Sequence, residues 1–414
     1  MDGFCTAPWR ATYYKGQMDK FKVCCLIGNV TKNDDGFDGW LKVDNPKEYF
    51  DNPKIKEVRD TMLRGEWHNL CRVCKEREDG GMKSDRLMYN RRYKKDVDDI
   101  IQNPNEFKLK LLDYRPSNLC NLKCRMCNPM SSSQINTEIK KSKELTKLFG
   151  KKIQKNPTDD TLPINICNKE NFKDITRIKI LGGEPTIDPQ VHLFLDWIVE
   201  NDFAKNICLS LTTNATNVDD KWISRMKKFK EIQVRLSVDG CGSTYNYIRT
   251  NSNWDEVKEN IYTIPKRLPN LDNYNINLVY SLFNCFTIKE WYPEMKELCL
   301  YMREKHKINF KIYIIECLAP KYFMVRNLPI EFKKIIEKDI KNLPNDFDIG
   351  LKDEFLTSLV KLTFKNRFLT SDKALRGFFE HNDILDNIRK TSIDNISPIY
   401  KDLRNLLKKY DEIR

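Results

Sequence analysis

The chain has 414 residues, 40% of them apolar, which is long enough for more than one domain and apolar enough for a large core. No apolar run reaches the roughly 18 residues of a membrane span, and the N-terminus has no basic and apolar secretion signal, so we expect a cytoplasmic protein without a membrane partner. The net charge of +13 permits a nucleic-acid partner but does not favour one, since Lys, Asn and Ile are abundant along the whole chain.

The first 90 residues contain cysteines at spacings typical of metal sites. Cys5 begins the run Cys-Thr-Ala-Pro-Trp, Cys24 and Cys25 are adjacent, and Cys71 and Cys74 form a CxxC pair. Four thiolates brought together in this way can hold an iron–sulfur cluster or a structural zinc ion, and both readings are open on the cysteines alone. A helix is predicted before the CxxC pair from apolar residues at helical spacing: Ile55, Val58, Met62 and Leu63.

The middle region, residues 107–318, alternates short β-branched runs with amphipathic helical patterns. Strands separated by helices imply parallel βα units with right-handed crossovers, and therefore an α/β fold. A linker helix at 91–106 precedes this region, and a helical region at 319–414 follows it. The predicted strands are 107–114, 175–181, 207–213, 232–238, 274–282 and 310–315, and the predicted helices between them include 191–199, 222–229 and 254–264.

Three cysteines follow the first strand of the middle region at the spacing CxxxCxxC. They are Cys120, Cys124 and Cys127. Each of the four irons of a [4Fe–4S] cluster needs a ligand, and this loop offers thiolates for three. The fourth iron would then be open to a cofactor or a substrate, so the spacing predicts a reactive cluster.

Three further motifs follow strand ends in the middle region. Residues 180–185 read Ile-Leu-Gly-Gly-Glu-Pro, where the glycines permit close backbone approach and the carboxylate can accept hydrogen bonds from an ammonium group. Residues 211–214 read Leu-Thr-Thr-Asn. Residues 235–240 read Arg-Leu-Ser-Val-Asp-Gly, with Arg249 downstream. The carboxyl ends of barrel strands are where active sites collect.

These motifs, in this order, resemble the signature of the radical S-adenosylmethionine (radical SAM) superfamily. The resemblance implies a partial (β/α)6 TIM-like barrel over residues 107–318. It also implies an enzyme that cleaves SAM reductively at a [4Fe–4S] cluster on Cys120, Cys124 and Cys127, giving a 5′-deoxyadenosyl radical that abstracts hydrogen from a substrate. The implied SAM contacts are Met126 (where the family usually has an aromatic residue), Gly182, Gly183, Glu184, Thr213, Asn214, Ser237 and Arg249.

The N-terminal cysteines resemble the SPASM or twitch auxiliary-cluster modules of radical SAM enzymes, although those modules usually follow the core. The resemblance implies a domain at 1–90 with a second [4Fe–4S] cluster, and it favours iron–sulfur over zinc. The ligands it implies are Cys5, Cys24, Cys71 and Cys74, with Cys25 as the alternative to Cys24.

Relatives with auxiliary clusters modify peptides or sugar-like molecules, so we expect a peptide or protein substrate and an electron donor such as flavodoxin or ferredoxin. The alternatives are oxidation or epimerisation of a sugar-like small molecule, and modification of RNA. A non-enzymatic protein that binds zinc and nucleic acid is the alternative from another class, but it leaves Gly182–Pro185 and Ser237–Gly240 unexplained.

Overall fold

The computed structural model describes residues 2–29, 31–33, 35–149, 161–308, 310–344, 352–365 and 371–413. The strands are β1 (Ala11–Lys15), β2 (Lys20–Lys22), β3 (Leu111–Arg115), β4 (Lys123–Cys124), β5 (Arg177–Ile180), β6 (Cys208–Thr213), β7 (Glu231–Ser237), β8 (Arg249–Thr250), β9 (Leu271–Tyr280) and β10 (Lys311–Glu316).

Helices surround these strands and fill most of the C-terminal region. The first half of the chain contains α1 (Ala7–Arg10), α2 (Pro46–Asp51), α3 (Pro53–Leu63), α4 (Arg72–Asp79), α5 (Asp85–Arg92), α6 (Val97–Gln102), α7 (Ser133–Lys141), α8 (Lys143–Phe149), α9 (Lys169–Phe172) and α10 (Pro189–Glu200). The second half contains α11 (Asp220–Met226), α12 (Gly242–Ile248), α13 (Trp254–Arg267), α14 (Ile288–His306), α15 (Ile330–Lys341), α16 (Lys352–Phe364), α17 (Asp372–Arg389) and α18 (Ile399–Ile413). None of the helices in the described part of the chain has the length and apolar character needed to cross a bilayer.

Eight strands form one mostly parallel sheet in the order β10-β9-β7-β6-β5-β3-β1-β2. β3 pairs with β5, β5 with β6, and β9 with β10, all in parallel register. The parallel strands alternate with helices along the chain, as βα units require. The structure therefore confirms the predicted mixed α/β fold of the partial-barrel type, followed by a C-terminal helical region.

All six predicted strands of the middle region are present, with bounds displaced by a few residues. The first begins at Leu111 rather than at residue 107, because the amides of Lys108 and Lys110 donate to the carbonyls of Trp9 and Arg10. The helix predicted before the CxxC pair is also present, as α3, and it buries Ile55, Val58 and Met62.

The N-terminal segment contributes two strands that the sequence analysis did not predict. β1 pairs in parallel with β3 and antiparallel with β2, so this segment extends the main sheet as well as carrying cysteines. The predicted linker helix at 91–106 is also corrected, since α5 ends at Arg92 and α6 begins only at Val97. Asp96 lies between these helices and Asp99 lies within α6. Both accept hydrogen bonds from the buried guanidinium of Arg10, at 3.1 and 2.6 Å, and these bonds fix the chain at the break.

The chain divides into two compact units. Unit 1 consists of Met1–Ser117, Pro157–Leu211 and Ser224–Ile232, and unit 2 consists of Asn118–Asn156, Thr212–Ile223 and Gln233–Arg414. The domain boundaries proposed from the sequence at residues 90, 106 and 318 stay predictions.

In unit 1, α10 covers one face of the sheet. Asp188 caps the helix by accepting from the amide of Gln190, and a proline occupies its first position. The buried residues Val191, Phe194, Leu195 and Ile198 recur at the helical period. Phe194 packs edge-on against Tyr114 of β3, with ring centroids 5.0 Å apart. This apolar contact leaves the opposite face of the same strands for polar side chains.

In unit 2, α17 carries a histidine inside the apolar core. His381 is fully buried, its Nδ1 lies 3.0 Å from the hydroxyl of Tyr322, and its ring packs edge-on against Phe323. Burial, reinforced by the positive charges of Arg125 and Arg389, lowers the pKa of His381 to about 3. The folded protein therefore holds this imidazole in its neutral form.

We expect acid to destabilise the fold through His381. Its pKa is lower in the folded chain than in the unfolded chain, so its contribution is complete above pH 6.5 and is lost as the pH falls towards 3. From pH 8 to pH 5.5 the wild type should lose about 1.4 kcal/mol more unfolding free energy than His381→Gln. Denaturant unfolding at both pH values measures this, and Tyr322→Phe, which keeps the imidazole, should retain the wild-type loss. Equal losses in wild type and His381→Gln would contradict the prediction.

Candidate cluster and cofactor site

The loop that carries Cys120, Cys124 and Cys127 is closed by hydrogen bonds at its base. The carbonyl of Asn118 accepts from the amide of Ser133 at 2.7 Å, and its side-chain amide donates to the carbonyl of Pro129 at 2.8 Å. The Ser133 hydroxyl accepts from the amide of Cys120 at 3.2 Å. Ser132, which caps α7, donates to the carbonyl of Leu122 at 2.8 Å. The start of α7 therefore holds the loop in one shape.

The three thiols of this loop suit an iron–sulfur cluster chemically. Burial raises the pKa of Cys127 to about 12 and raises that of Cys124. A buried thiolate needs a positive partner, and a coordinated metal provides one. The donor set, three cysteines on one braced loop, is therefore consistent with the cluster implied by the sequence. Over the part of the chain that the structure describes, no three His, Cys, Asp or Glu side chains are grouped as ligands of a single metal ion.

A two-residue strand pairing brings Arg249 to the cluster loop. β4 pairs antiparallel with β8, so that Cys124 lies opposite Arg249. The Nη1 of Arg249 lies 3.8 Å from the Sγ of Cys124, and its Nη2 lies 2.7 Å from the carboxylate of Asp239. Burial opposes the positive charge, but Asp239 outweighs it and raises the pKa of Arg249 above its usual value. Asp239 is itself held by the amide of Val279 at 2.9 Å.

Thr213 and Asn214 lie at the end of β6, as predicted, and Asn214 contacts the cluster loop. Its Nδ2 donates to Oδ1 of Asn121 at 3.0 Å, and Nδ2 of Asn121 donates to the hydroxyl of Thr216 at 2.8 Å. Asn214 Oδ1 in turn accepts from Thr216. Asn121 and Thr216 were missed by the sequence analysis; the small polar run after β6 was the available signal. Ser237, also predicted, is the last residue of β7.

Arg125, which lies within the CxxxCxxC motif, was also missed. Its side chain is fully buried and donates to Asn382 at 2.7 Å, to Asp386 at 2.7 Å and to Thr391 at 2.6 Å. Its Nε donates to the carbonyl of Tyr247 at 2.9 Å, and the guanidinium stacks 3.7 Å from the Tyr247 ring centroid. α17 therefore anchors the cluster loop. Met126, the predicted adenine contact, is the next residue and is half-buried.

The Gly182–Glu184 motif lies in unit 1, directly after β5. Gly182 has φ +151°, and a Cβ there would lie 2.9 Å from the carbonyl oxygen of Ser117, so only glycine is tolerated. The amide of Gly183 donates to the same carbonyl at 3.0 Å. Glu184 is 1% exposed, and its Oε1 accepts from the amide and hydroxyl of Thr186. The motif is a tight, preformed turn with a buried carboxylate.

The four predicted auxiliary ligands line one pocket in unit 1: Cys5, Cys24, Cys71 and Cys74. Cys5 precedes α1, Cys24 follows β2, and Cys71 and Cys74 lie at the start of α4. Burial raises the pKa of Cys5 to about 12 and raises the pKa of the other three thiols. A pocket lined by four cysteine thiols is chemically consistent with an auxiliary cluster.

The neighbouring Cys25 has different surroundings. Its Sγ lies 3.8 Å from a carboxylate oxygen of Asp85, and it is not among the residues that line the four-cysteine pocket. The geometry therefore favours Cys24 over Cys25 as the fourth thiol. Arg86 also lines the pocket and was missed by the sequence analysis; it donates to the carbonyl of Phe4 and stacks on Trp67.

Comparison with known families agrees with this geometry. Residues 114–281 match the Radical SAM superfamily model. This segment belongs to the radical SAM superfamily. The [4Fe–4S] cluster and SAM are the cofactors that this family implies for the matched segment.

Solved structures similar to this chain include anSMEcpe with bound AdoMet and Cp18Cys peptide, at 20% identity and TM-score 0.35, covering 56% of this chain and 58% of that one. Streptococcus suis SuiB bound to precursor peptide SuiA is similar at 17% identity and TM-score 0.37, covering 68% of this chain and 61% of that one. The alignments thus span less than two thirds of the length of anSMEcpe and of SuiB. No curated protein matches the chain.

Arg249 should tune the cluster predicted on Cys120, Cys124 and Cys127. Reduction adds negative charge, which the nearby guanidinium stabilises, so we expect Arg249→Gln to lower the midpoint potential of this cluster and Arg249→Lys to lower it less. Redox titration followed by electron paramagnetic resonance, without SAM, measures the potential. The signal that disappears in Cys120→Ala/Cys124→Ala/Cys127→Ala identifies the cluster. Arg267→Gln, which alters a surface ion pair with Asp220, is the control. A potential unchanged in Arg249→Gln would refute the role.

Removing Arg125 should destabilise unit 2, because it leaves the Asp386 carboxylate without its buried partner. We expect Arg125→Met to cost about 3 to 5 kcal/mol, the usual cost of removing one member of a buried ion pair. Arg404→Gln, at a more exposed pair with Asp383, should cost about 1 kcal/mol or less. Denaturant unfolding of the three proteins measures the difference. Equal costs would show that the Arg125 network is not a stabilising element.

Proposed function

We propose that this radical SAM enzyme modifies a peptide or protein, with a catalytic [4Fe–4S] cluster on Cys120, Cys124 and Cys127. When bound, the cluster supplies the electron that cleaves SAM into methionine and a 5′-deoxyadenosyl radical, which removes a hydrogen atom from the substrate. The observation that carries the proposal is the braced loop: it holds three cysteine thiols, and the cationic side chain of Arg249 lies beside one of them, Cys124. One iron is left without a protein thiolate, as a SAM-binding cluster requires.

The residues around the loop keep its geometry fixed while the cofactor binds. Arg125 ties the loop to α17, and Asn121 ties it to the end of β6. Arg249 places a positive charge beside Cys124, which offsets the negative charge of a thiolate-bound cluster. A site held by several hydrogen bonds needs little rearrangement during the reaction, which favours catalysis.

The SAM contacts are proposed from the family resemblance together with their places at strand ends. The buried carboxylate of Glu184 and the tight turn at Gly182–Gly183, which has no side chains to block a ligand, suit the methionyl amine. Arg249 already pairs with Asp239, so a role towards the SAM carboxylate would need it to share its donors. The remaining proposed contacts are Met126, Thr213, Asn214 and Ser237.

The second cluster is proposed in the four-cysteine pocket. The N-terminal cysteines resemble the auxiliary-cluster modules of peptide-modifying relatives, and this resemblance supports a peptide or protein substrate. Four thiols can ligate all four irons, which suits a cluster that passes electrons away from the substrate. The solved complexes of anSMEcpe and SuiB contain peptides, as their descriptions state. An electron donor such as flavodoxin or ferredoxin would reduce the catalytic cluster.

Metal analysis after anaerobic reconstitution tests both clusters. We expect about eight irons and eight sulfides per chain in the wild type. Two variants should each retain about four: Cys120→Ala/Cys124→Ala/Cys127→Ala, and Cys5→Ala/Cys24→Ala/Cys71→Ala/Cys74→Ala. Only the first should abolish formation of 5′-deoxyadenosine from SAM with dithionite. Cys25→Ala, the matched control beside Cys24, should keep all eight.

Two outcomes would overturn parts of the proposal. About four irons in the wild type and none in the cluster-loop variant would mean that the N-terminal pocket holds no iron–sulfur cluster. Zinc without iron in every protein would remove the catalytic cluster altogether.

A further inference from the structure

The face of the sheet opposite α10 in unit 1 carries a row of polar side chains. Strand register places Tyr13 opposite Asp113, Asp113 opposite Lys179, and Lys179 opposite Ser210. Register partners in a sheet point to the same face, so these four side chains stand side by side. Tyr114 and Phe194, packed together on the other face, show that α10 does not cover this row.

The row is most basic near the carboxyl ends of the strands. Lys15 and Arg115 are register partners at the last positions of β1 and β3, two residues beyond Tyr13 and Asp113 and therefore on the same face. Lys179 lies next to the last residue of β5, shortly before the Gly182–Glu184 turn. These basic side chains thus lie where parallel strands present ligand-binding groups.

The cations of this row outnumber the carboxylates that pair with them. Asp113, 5% exposed, pairs with Lys179 at 3.2 Å and with Nε of Arg115 at 3.4 Å. Lys15 has no acidic or hydrogen-bonding partner for its ammonium group among the described residues, and it lies beside Arg115. Arg115 and Lys179 therefore share one carboxylate, and Lys15 adds a third positive charge beside Arg115. Burial and the charge of Arg115 lower the pKa of Lys15, which is the expected effect of crowding positive charges in a partly desolvated place.

The guanidinium of Arg115 is held in a defined orientation. It stacks 4.8 Å from the ring centroid of Tyr13, whose ring in turn packs 5.3 Å from that of Trp40. Arg115 is 29% exposed and Lys179 is 26% exposed, so both can be reached by a ligand. A planar, stacked guanidinium next to ammonium groups matches a carboxylate in shape and charge.

We propose that Lys15, Arg115 and Lys179 form a subsite that binds a carboxylate of the substrate, an acidic side chain in a peptide. This inference rests on the proposed peptide or protein substrate and specifies its class. A bound carboxylate supplies the missing negative charge, and Asp113 keeps Arg115 and Lys179 in place when the ligand is absent. The subsite would orient the substrate without touching the reacting atoms.

Cys25 provides a reporter of the local potential, because its thiol lies within electrostatic range of Asp113, Lys179 and Arg115 and is partly exposed. The experiment measures alkylation of Cys25 in the reconstituted full-length protein by anionic iodoacetate and neutral iodoacetamide, located by tandem mass spectrometry. The ratio of the two rates cancels differences in thiol reactivity. We expect the ratio to fall roughly three- to tenfold in Lys15→Gln, Arg115→Gln or Lys179→Gln.

Two matched variants complete the measurement. Asp113→Asn should raise the ratio, and Lys205→Gln, at an exposed lysine of unit 1 paired with Asp202, should leave it unchanged. Within the described part of the chain, Lys15→Gln removes no partner of the ammonium group, so its result stands even if Arg115→Gln misfolds. A ratio unchanged in Lys15→Gln and Lys179→Gln would overturn the subsite.

The ligand class is tested by protection of Cys25 from iodoacetamide, using three tetrapeptides acetylated at the N-terminus. One contains Glu and ends in an amide, one has Gln in its place, and one has Gln with a free terminal carboxylate. We expect the Glu peptide to protect at a concentration several-fold lower than the Gln amide, and this advantage to disappear in Lys15→Gln. Protection by the free-carboxylate peptide alone would assign the subsite to a chain terminus, contrary to the proposal.

Two further outcomes separate this inference from the proposed function. Equal protection by all three peptides, or protection only by glucose 6-phosphate, would overturn a carboxylate subsite. Failure of the wild type to form 5′-deoxyadenosine with dithionite would instead refute the proposed function, whatever the alkylation ratios are.

Discussion

A buried positive charge inside the cluster loop connects the loop to the end of the chain. Arg125 has lost its contact with water, and the cost of that desolvation is met by Asp386, by neutral acceptors and by the ring of Tyr247. The partners on α17 lie about 260 residues away along the sequence. The C-terminal helical region is therefore part of the support for the cysteine loop, and the loop's geometry depends on that region being folded.

The two faces of the unit 1 sheet have different roles. α10 covers one face with apolar side chains, and this packing supplies the hydrophobic stabilisation. The other face is freed for charged groups such as Arg115 and Lys179, which would be costly to bury under a helix. β1 belongs to this sheet, so the N-terminal segment contributes both to the four-cysteine pocket and to the basic face.

The adjacent residues Cys24 and Cys25 lie in different surroundings. Cys24 lines the four-thiol pocket, whereas Cys25 lies near Asp85 and the charged row of the sheet. A similar division occurs in the cluster loop, where Cys124 contacts Arg249 and the adjacent Arg125 points to α17. In both places the backbone direction, rather than the residue type alone, decides which site a side chain joins.

The sequence by itself determined the α/β class, the six middle strands, the family likeness of residues 114–281 and the cysteine loop. These features depend on hydrophobic period and on short spacings that local chain geometry preserves. The individual SAM contacts and the auxiliary cluster remain predictions. Only the tertiary structure decided that β1 extends the sheet, that Cys24 enters the pocket, and that α17 holds Arg125. It also decided that Arg249 pairs with Asp239. Such contacts join residues from different elements, and no local pattern specifies them, because they form only when those elements pack together.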